Sequence, residues 1–429
     1  MKPVVVRGGR VIDPGTGHGG VADLVIVDGK IAGLGRGDGT PDGAEVIDAK
    51  GLVVAPGLVD LHVHLREPGQ EHQETVATGA HAAAAGGFTA VCAMPNTDPV
   101  TDNQAAVGFI VKQAAAARAA RVYPYGAVSL GQRGEQLAEF GELVGAGAVA
   151  VSDDGHPVAS GHLMRTALEY AQTFGIPVAD HCEEPTLAKG GVMHEGVVSA
   201  RLGLKGIPAA AEEIMVARDV ILARLTGGHV HLCHMSTRGS VELIRRAKDE
   251  GLRVTAEACP HHFTLTHEAC GAYDTNAKMN PPLREPEDVE AVCAALADGT
   301  IDAIATDHAP HHYDAKEREF DDAPFGIIGL ETALGLAITE LVERKLLTLP
   351  QLIERMSTVP ARLFGLTGGT IAKGAPADVV VFDPSARWVV DPAESFSKSR
   401  NTPFAGRHLV GRAVRTLVGG RTVFGGSRA

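Results

Sequence analysis

Between about residues 57 and 310 one phrase recurs: a short apolar run ending in polar residues, then an Ala- and Leu-rich stretch with helical spacing. The runs are GLVDLHVH (57–64), FTAVCAMPN (88–96), RVYPYGAVS (121–129), AVAVSDDG (148–155), PVADHCE (177–183), HVHLCHMS (229–236), RVTAEACP (253–260) and DAIATDHAP (302–310). Near-continuous apolar strands alternating with helices predict a parallel sheet buried on both faces, and eight units close an α/β sheet into a (β/α)₈ TIM barrel. Each run carries its polar residues at its C-terminal end, where barrels of this kind place their chemistry.

The flanks read differently. Residues 3–55 and the stretch from about 369 onward are short strand patterns punctuated by Gly and Asp, with no intervening helix. Neither piece is long enough to bury a core alone, so the economical arrangement is one small β-sandwich domain from residues 1–55 and 366–429, beside a barrel of residues 56–365. The charged stretch YDAKEREFDD (313–322), just after the last barrel strand, suits either a solvated loop or an active-site lid.

Composition narrows the setting. A net charge of −13 leaves no excess of Lys and Arg to neutralise phosphates, so neither nucleic acid nor an anionic membrane is an expected partner. The chain shows no apolar run of membrane-spanning length and no secretory signal pattern, which predicts a cytoplasmic protein. The six cysteines never form a C-x-x-C pair and read as buried reduced thiols.

In the run DLHVH, Asp60, His62 and His64 share one strand face, and both imidazoles can reach one ion. An isolated H-x-H is more often a pair of hydrogen-bonded core histidines than a metal site. Here His181 ends the fifth strand, His234 the sixth and Asp307 the eighth, so separate strands send imidazole and carboxylate to one rim. Two ions about 3.5–4 Å apart need a bridging anion to offset their repulsion, and the fourth strand offers Asp153 and Asp154. Alternation chooses between them. Val149 and Val151 are expected to face the helices, which sends Ala150, Ser152 and Asp154 inward, and likewise Ala303, Ala305 and Asp307 on strand eight. Alternation decides less for His234, whose neighbours on either face are equally suited to point inward.

The motifs PGLVDLHVHLREPG (56–69), AMPNT (93–97), SDDG (152–155) and ATDHAPH (305–311) resemble the dihydroorotase family of the amidohydrolase superfamily over essentially the whole chain, most closely its bacterial class I type. Many superfamily members bridge their metals with a carboxylated lysine from strand four. This chain has no Lys between Lys112 and Lys189, which favours the subset that uses an aspartate. The resemblance implies a first Zn²⁺ held by His62, His64, Asp154 and Asp307, and a second held by Asp154, His181 and His234; such ligands also admit Mn²⁺ or Co²⁺. It implies reversible interconversion of N-carbamoyl-L-aspartate with L-dihydroorotate and water in pyrimidine synthesis, by a metal-bridging hydroxide with Asp307 as general acid and base.

An anionic substrate needs a local positive centre in so acidic a chain, and Arg66, with its planar fork of donors, suits a carboxylate. By resemblance Asn96 and His311 join it, Asn280 and the backbone of Phe325 and Gly326 meet the ring, and His64 counts among substrate-binding residues as well as ligands. A homodimer is expected, and association with aspartate carbamoyltransferase is known among class I relatives. His261 and His262 receive no role, and His72, His156 and His312 read as surface or loop residues. The alternatives are a hydantoinase- or allantoinase-type cyclic amidase and a non-catalytic scaffold homologue.

Overall fold

The computed structural model describes residues 2–35 and 40–425. Residue 1, residues 36–39 and residues 426–429 of the expected terminal domain lie outside the described residues. Both chain ends enter one eight-stranded sheet. Its members are β1 (Val4–Asp13), β2 (His18–Val27), β3 (Lys30–Gly35), β4 (Glu45–Asp48) and β5 (Val53–Pro56), with β16 (Val379–Val389), β17 (His408–Val418) and β18 (Arg421–Phe424) from the far end. The antiparallel pairing of β16 with β5 joins the two halves. Val6, Val11 and Leu24 from one end and Val379, Val381 and Leu417 from the other share an apolar cluster, so neither half would be dry without the other.

Strand β5 leads directly into the barrel. Its parallel strands are β6 (Leu58–Val63), β7 (Phe88–Ala93), β8 (Arg121–Gly126), β9 (Ala150–Ser152) and β10 (Val178–Asp180), then β13 (Val230–Leu232), β14 (Val254–Ala258) and β15 (Ala303–Ile304). The short parallel pair β11 (Met193–His194) and β12 (Gly206–Ile207) sits in the excursion between β10 and β13. Beyond β15 a parallel bridge from Val63 to His308 closes the ring, reinforced by His64 N–H donating to the His308 carbonyl at 2.8 Å.

Alternation sorts residues on most of these strands, whereas β6 is irregular, with register shifts between Leu58 and Val59 and between Asp60 and Val63. Val151, Val178, Val230, Leu232, Val254 and Ile304 join the cluster that packs under the helices, while Ala150, Ala179, Cys233, Ala303 and Ala305 share an inner one. The small inner residues leave the strand ends room for larger polar side chains. Several of the loops that follow finish in a helix N-cap: Thr75 before the helix Val76–Ala85, Ser160 before Gly161–Ala171, and Thr237 before Arg238–Asp249. Among the described residues no helix is long and apolar enough to cross a membrane.

The segment 313–322 is neither a free loop nor an open lid. Tyr313 and Asp314 are exposed, but Lys316 and Phe320 are buried, and the segment straps across to the loop carrying Thr275 and Lys278.

Candidate metal centre

At the C-terminal rim Asp154 stands between two pairs of imidazoles. Its Oδ2 lies 3.3 Å from His62 Nε2 and 3.4 Å from His64 Nε2, while Oδ1 lies 3.2 Å from His234 Nε2 and 3.6 Å from His181 Nδ1. Asp307 Oδ1 sits 3.1 Å from His64 Nε2 and 3.5 Å from His62 Nε2. All six side chains are buried. One carboxylate thus presents a separate oxygen to each imidazole pair, the disposition a bridging ligand requires.

Nitrogen lone pairs test whether cations fit. His62 gives its Nδ1 proton to Glu257 at 2.8 Å and His64 gives its own to Asn96 Oδ1 at 2.8 Å. That leaves each Nε2 as a bare lone pair facing carboxylate oxygens, and His62 Nε2 has no hydrogen-bond partner. His181 Nδ1 and His234 Nε2 approach to 3.0 Å. Lone pairs and anions converge with too few protons among them, and a divalent cation satisfies such a set of nitrogen and oxygen donors. The carboxylates favour positive charge at these same nitrogens, and despite burial Asp154 and Asp307 raise His62 well above the ordinary imidazole range. Burial opposes charge on Asp154, yet His62, His181 and His234 hold its carboxyl well below the ordinary range. Burial likewise opposes charge on His181, yet hydrogen bonding to Asp154 and nearby carboxylates push it up to about 9. The pocket calls for positive charge.

Backbone strain aims several of these groups. Arg66, His234 and Asp307 adopt φ of 60°, 40° and 49°, a region that non-glycine residues rarely enter. At His234 this answers what alternation left open: Cys233 already faces inward, and the left-handed turn brings its neighbour onto the rim as well.

The groups behind the rim include one that sequence reasoning missed. Glu257 on β14, fully buried, accepts from His62 Nδ1 and lies 3.2 Å from His231 Nε2; despite burial those histidines lower its carboxyl to about 2. The signal was present, since Val254, Ala256 and Ala258 face the helices and leave Glu257 as an inward carboxylate in an apolar strand. Asp60 accepts from the backbone N–H groups of His62 and Thr306, and burial raises it to about 7. Asp153 turns away from the rim: it accepts from Val128 N–H at 2.8 Å, Ser129 N–H at 3.0 Å and Ser129 Oγ at 2.5 Å. His262 donates from Nε2 to the Pro281 carbonyl, and His261 is buried beside it. His72 and His156 are exposed and His312 half-buried.

A cavity of about 320 Å³ opens over the rim, lined by His64, Arg66, Asn96, Asn280, His311, Phe325 and Gly326 with the inner ligand candidates, a size suited to a small ligand. Arg66 gives its Nε proton to the Pro310 carbonyl at 3.1 Å. Asn96 is engaged with His64, and Asn280 Nδ2 lies 3.3 Å from His181 Nε2 with its Oδ1 unpartnered. His311 Nε2 donates to the Phe325 carbonyl at 2.7 Å. Gly326 N–H donates to the Lys278 carbonyl and its own carbonyl accepts from Asn401. At φ 121° Gly326 could not take a side chain freely: a Cβ there would lie 2.7 Å from Ala309 Cβ.

A closed parallel barrel with histidines and aspartates gathered at its C-terminal rim defines the amidohydrolase class of barrels. A dihydroorotase of Anaeromyxobacter dehalogenans is 57% identical over 97% of this chain and 97% of its own length, and one of Geotalea daltonii is 55% identical over 98% and 99%. The family model described as dihydro-orotase-like matches residues 51–240. Among solved structures an L-hydantoinase (dihydropyrimidinase) from Arthrobacter aurescens superposes with a TM-score of 0.89 at 27% identity, covering 99% of this chain and 96% of that one. This chain belongs to the dihydroorotase family.

Proposed function

We infer that this chain catalyses the dihydroorotase reaction, reversible cyclisation of N-carbamoyl-L-aspartate to L-dihydroorotate and water in pyrimidine biosynthesis. The observation that carries this is Asp154 dividing its two oxygens between imidazole pairs beneath a cavity that contains an arginine. On this reading His62, His64, Asp154 and Asp307 would hold one Zn²⁺ and Asp154, His181 and His234 a second. Zinc so held lowers the pKa of water to about 7 and polarises a carbonyl, which supplies a nucleophile and an electrophile at neutral pH.

The chain's own residues do the rest. Arg66, with Asn96 and His311, orients the substrate carboxylate; Asn280 and the Phe325–Gly326 backbone orient the ring. Asp307, buried and ionised, takes the nucleophile's proton and passes it to the ring nitrogen as the amide bond breaks. In the cyclising direction it delivers that proton in reverse. The same reading places the chain in the bacterial class I type, with residues 56–365 as catalytic domain and 1–55 with 366–429 as its support. It extends to a cytoplasmic homodimer able to associate with aspartate carbamoyltransferase.

The likeness to an L-hydantoinase favours a second reading, a cyclic amidase for hydantoins. Turnover of L-dihydroorotate, hydantoin and allantoin by the same metal-loaded preparation separates the two. Dihydroorotate is expected to be turned over fastest; faster turnover of hydantoin would reverse the choice.

A further inference from the structure

Arg66 on the cavity wall and two lysines behind its Phe325–Gly326 side are buried cations with no carboxylate at ion-pair distance. Arg66, Lys278 and Lys316 are 8%, 2% and 6% exposed, in a chain whose net charge is −13. Among the described residues none of the three has a carboxylate oxygen within 4.0 Å. Their protons go to backbone carbonyls. Lys316 Nζ donates to Thr275 at 2.9 Å, Lys278 at 3.3 Å and Pro324 at 2.7 Å; Lys278 Nζ donates to Phe320 at 2.6 Å and Asp321 at 3.0 Å.

Carbonyl dipoles solvate an ammonium without cancelling its charge, and buried lysines are almost always paired. Asp274 opposes Lys316 only from beyond ion-pair distance, as Asp321 and Asp322 oppose Lys278. Burial, with the charges of Lys278 and Arg66, pushes Lys316 down to about 7, so its positive charge is complete only below neutral pH. Phe325 separates the two lysines from the cavity: Lys278 Nζ lies 4.8 Å from the centre of the Phe325 ring, and Phe325 and Gly326 line the pocket.

We propose that Lys278 and Lys316 are specificity determinants for substrate charge, raising the potential of the cavity so that carboxylate-bearing rings and the doubly charged open acid are bound in preference to neutral cyclic amides. The inference rests on the dihydroorotase reading and deepens it. Hydrogen bonds that merely peg the strap would support every ring alike, whereas a field acts on charge alone.

The test is binding to the metal-loaded full-length protein of two ligands, L-dihydroorotate and 5,6-dihydrouracil, the same ring without the carboxylate. At about pH 6, where Lys316 keeps its proton, Lys316→Met and Lys278→Met should each weaken dihydroorotate about tenfold, the effect of removing a positive charge that acts through a poorly screened interior. Dihydrouracil affinity should stay within about twofold, and Lys316→Arg, which keeps the charge, within about threefold of wild type for both ligands. Equal losses for the two rings, or a Lys316→Arg protein as weak as Lys316→Met, overturn the assignment. Lys278→Met leaves two of the three Lys316 anchors untouched and its own backbone carbonyl in place, so it decides the matter alone if Lys316→Met does not fold. A wild-type protein that fails to bind dihydroorotate overturns the functional reading and this one with it; wild-type binding with equal losses overturns only the lysines' role.

Discussion

On the floor of the cavity charge meets charge: Asp154 and Asp307 face four imidazoles within 3.6 Å, and Glu257 backs one of them. Along the strap wall Lys278 and Lys316 give their protons to backbone carbonyls. The floor hangs from the ends of separate barrel strands, each fixed by its neighbours, and its surplus of lone pairs suits cations. The wall hangs from a long connection, held where two lysines and Asn401 catch its backbone, and its surplus is positive. Such a cavity takes a metal below and an anion beside it, and the two halves should fail in different ways.

Asp154→Ala should separate them most. It removes the side chain that touches both imidazole pairs, so activity should fall by more than the roughly 10- to 100-fold carried by outer partners of a metal ligand. Elemental analysis should show less than the wild-type metal content, and an enzyme that keeps both its metal and its rate would remove Asp154 from the centre. Glu257→Gln comes next. The amide still accepts from His62 Nδ1 but no longer supplies charge, so metal affinity measured by chelator competition should drop about 10- to 100-fold. An unchanged affinity would reduce Glu257 to a packing residue.

How far each half was legible follows from how it is built. His62, His64, Asp154, His181, His234 and Asp307 stand at strand ends, where the barrel's polarity acts, helped by period-two alternation at His62, His64, Asp154 and Asp307 but not at His234, and the structure gathers all six. Glu257 was legible by the same rule. Lys278, Lys316 and Asn401 obey no period. They come from irregular connections, and their partners are backbone carbonyls that any sequence provides, so nothing in residue type or spacing announces them. The strap read equally as solvated loop or lid because its charges suit both; only the burial of Lys316 and Phe320 shows that it is packed.

Gly326→Ala probes the wall with a smaller expected effect. The residue would have to hold φ 121° with its Cβ 2.7 Å from that of Ala309, so the Phe325–Gly326 backbone or Ala309 must shift. A strain of about 1.4 kcal/mol corresponds to a tenfold rise in KM with metal content unchanged. Loss of metal instead would mean that the wall and floor are one unit.

Asp153→Ala should do least to catalysis, although Asp153 adjoins Asp154 and is equally buried at 2% exposure. Its carboxylate is spent on Val128 and Ser129, so the variant leaves two backbone N–H groups and a hydroxyl without their acceptor, at a cost of about 1–3 kcal/mol in stability. Thermal unfolding should therefore register the change more clearly than kcat, which should stay within about threefold of wild type well below Tm. The comparison with Asp154→Ala is the sharper result, because the two aspartates differ only in which side of β9 they leave. If Asp153→Ala lost as much metal as Asp154→Ala, the centre would depend on the turn at 128–129 as much as on its own ligands, and the independence of floor from surroundings would fall.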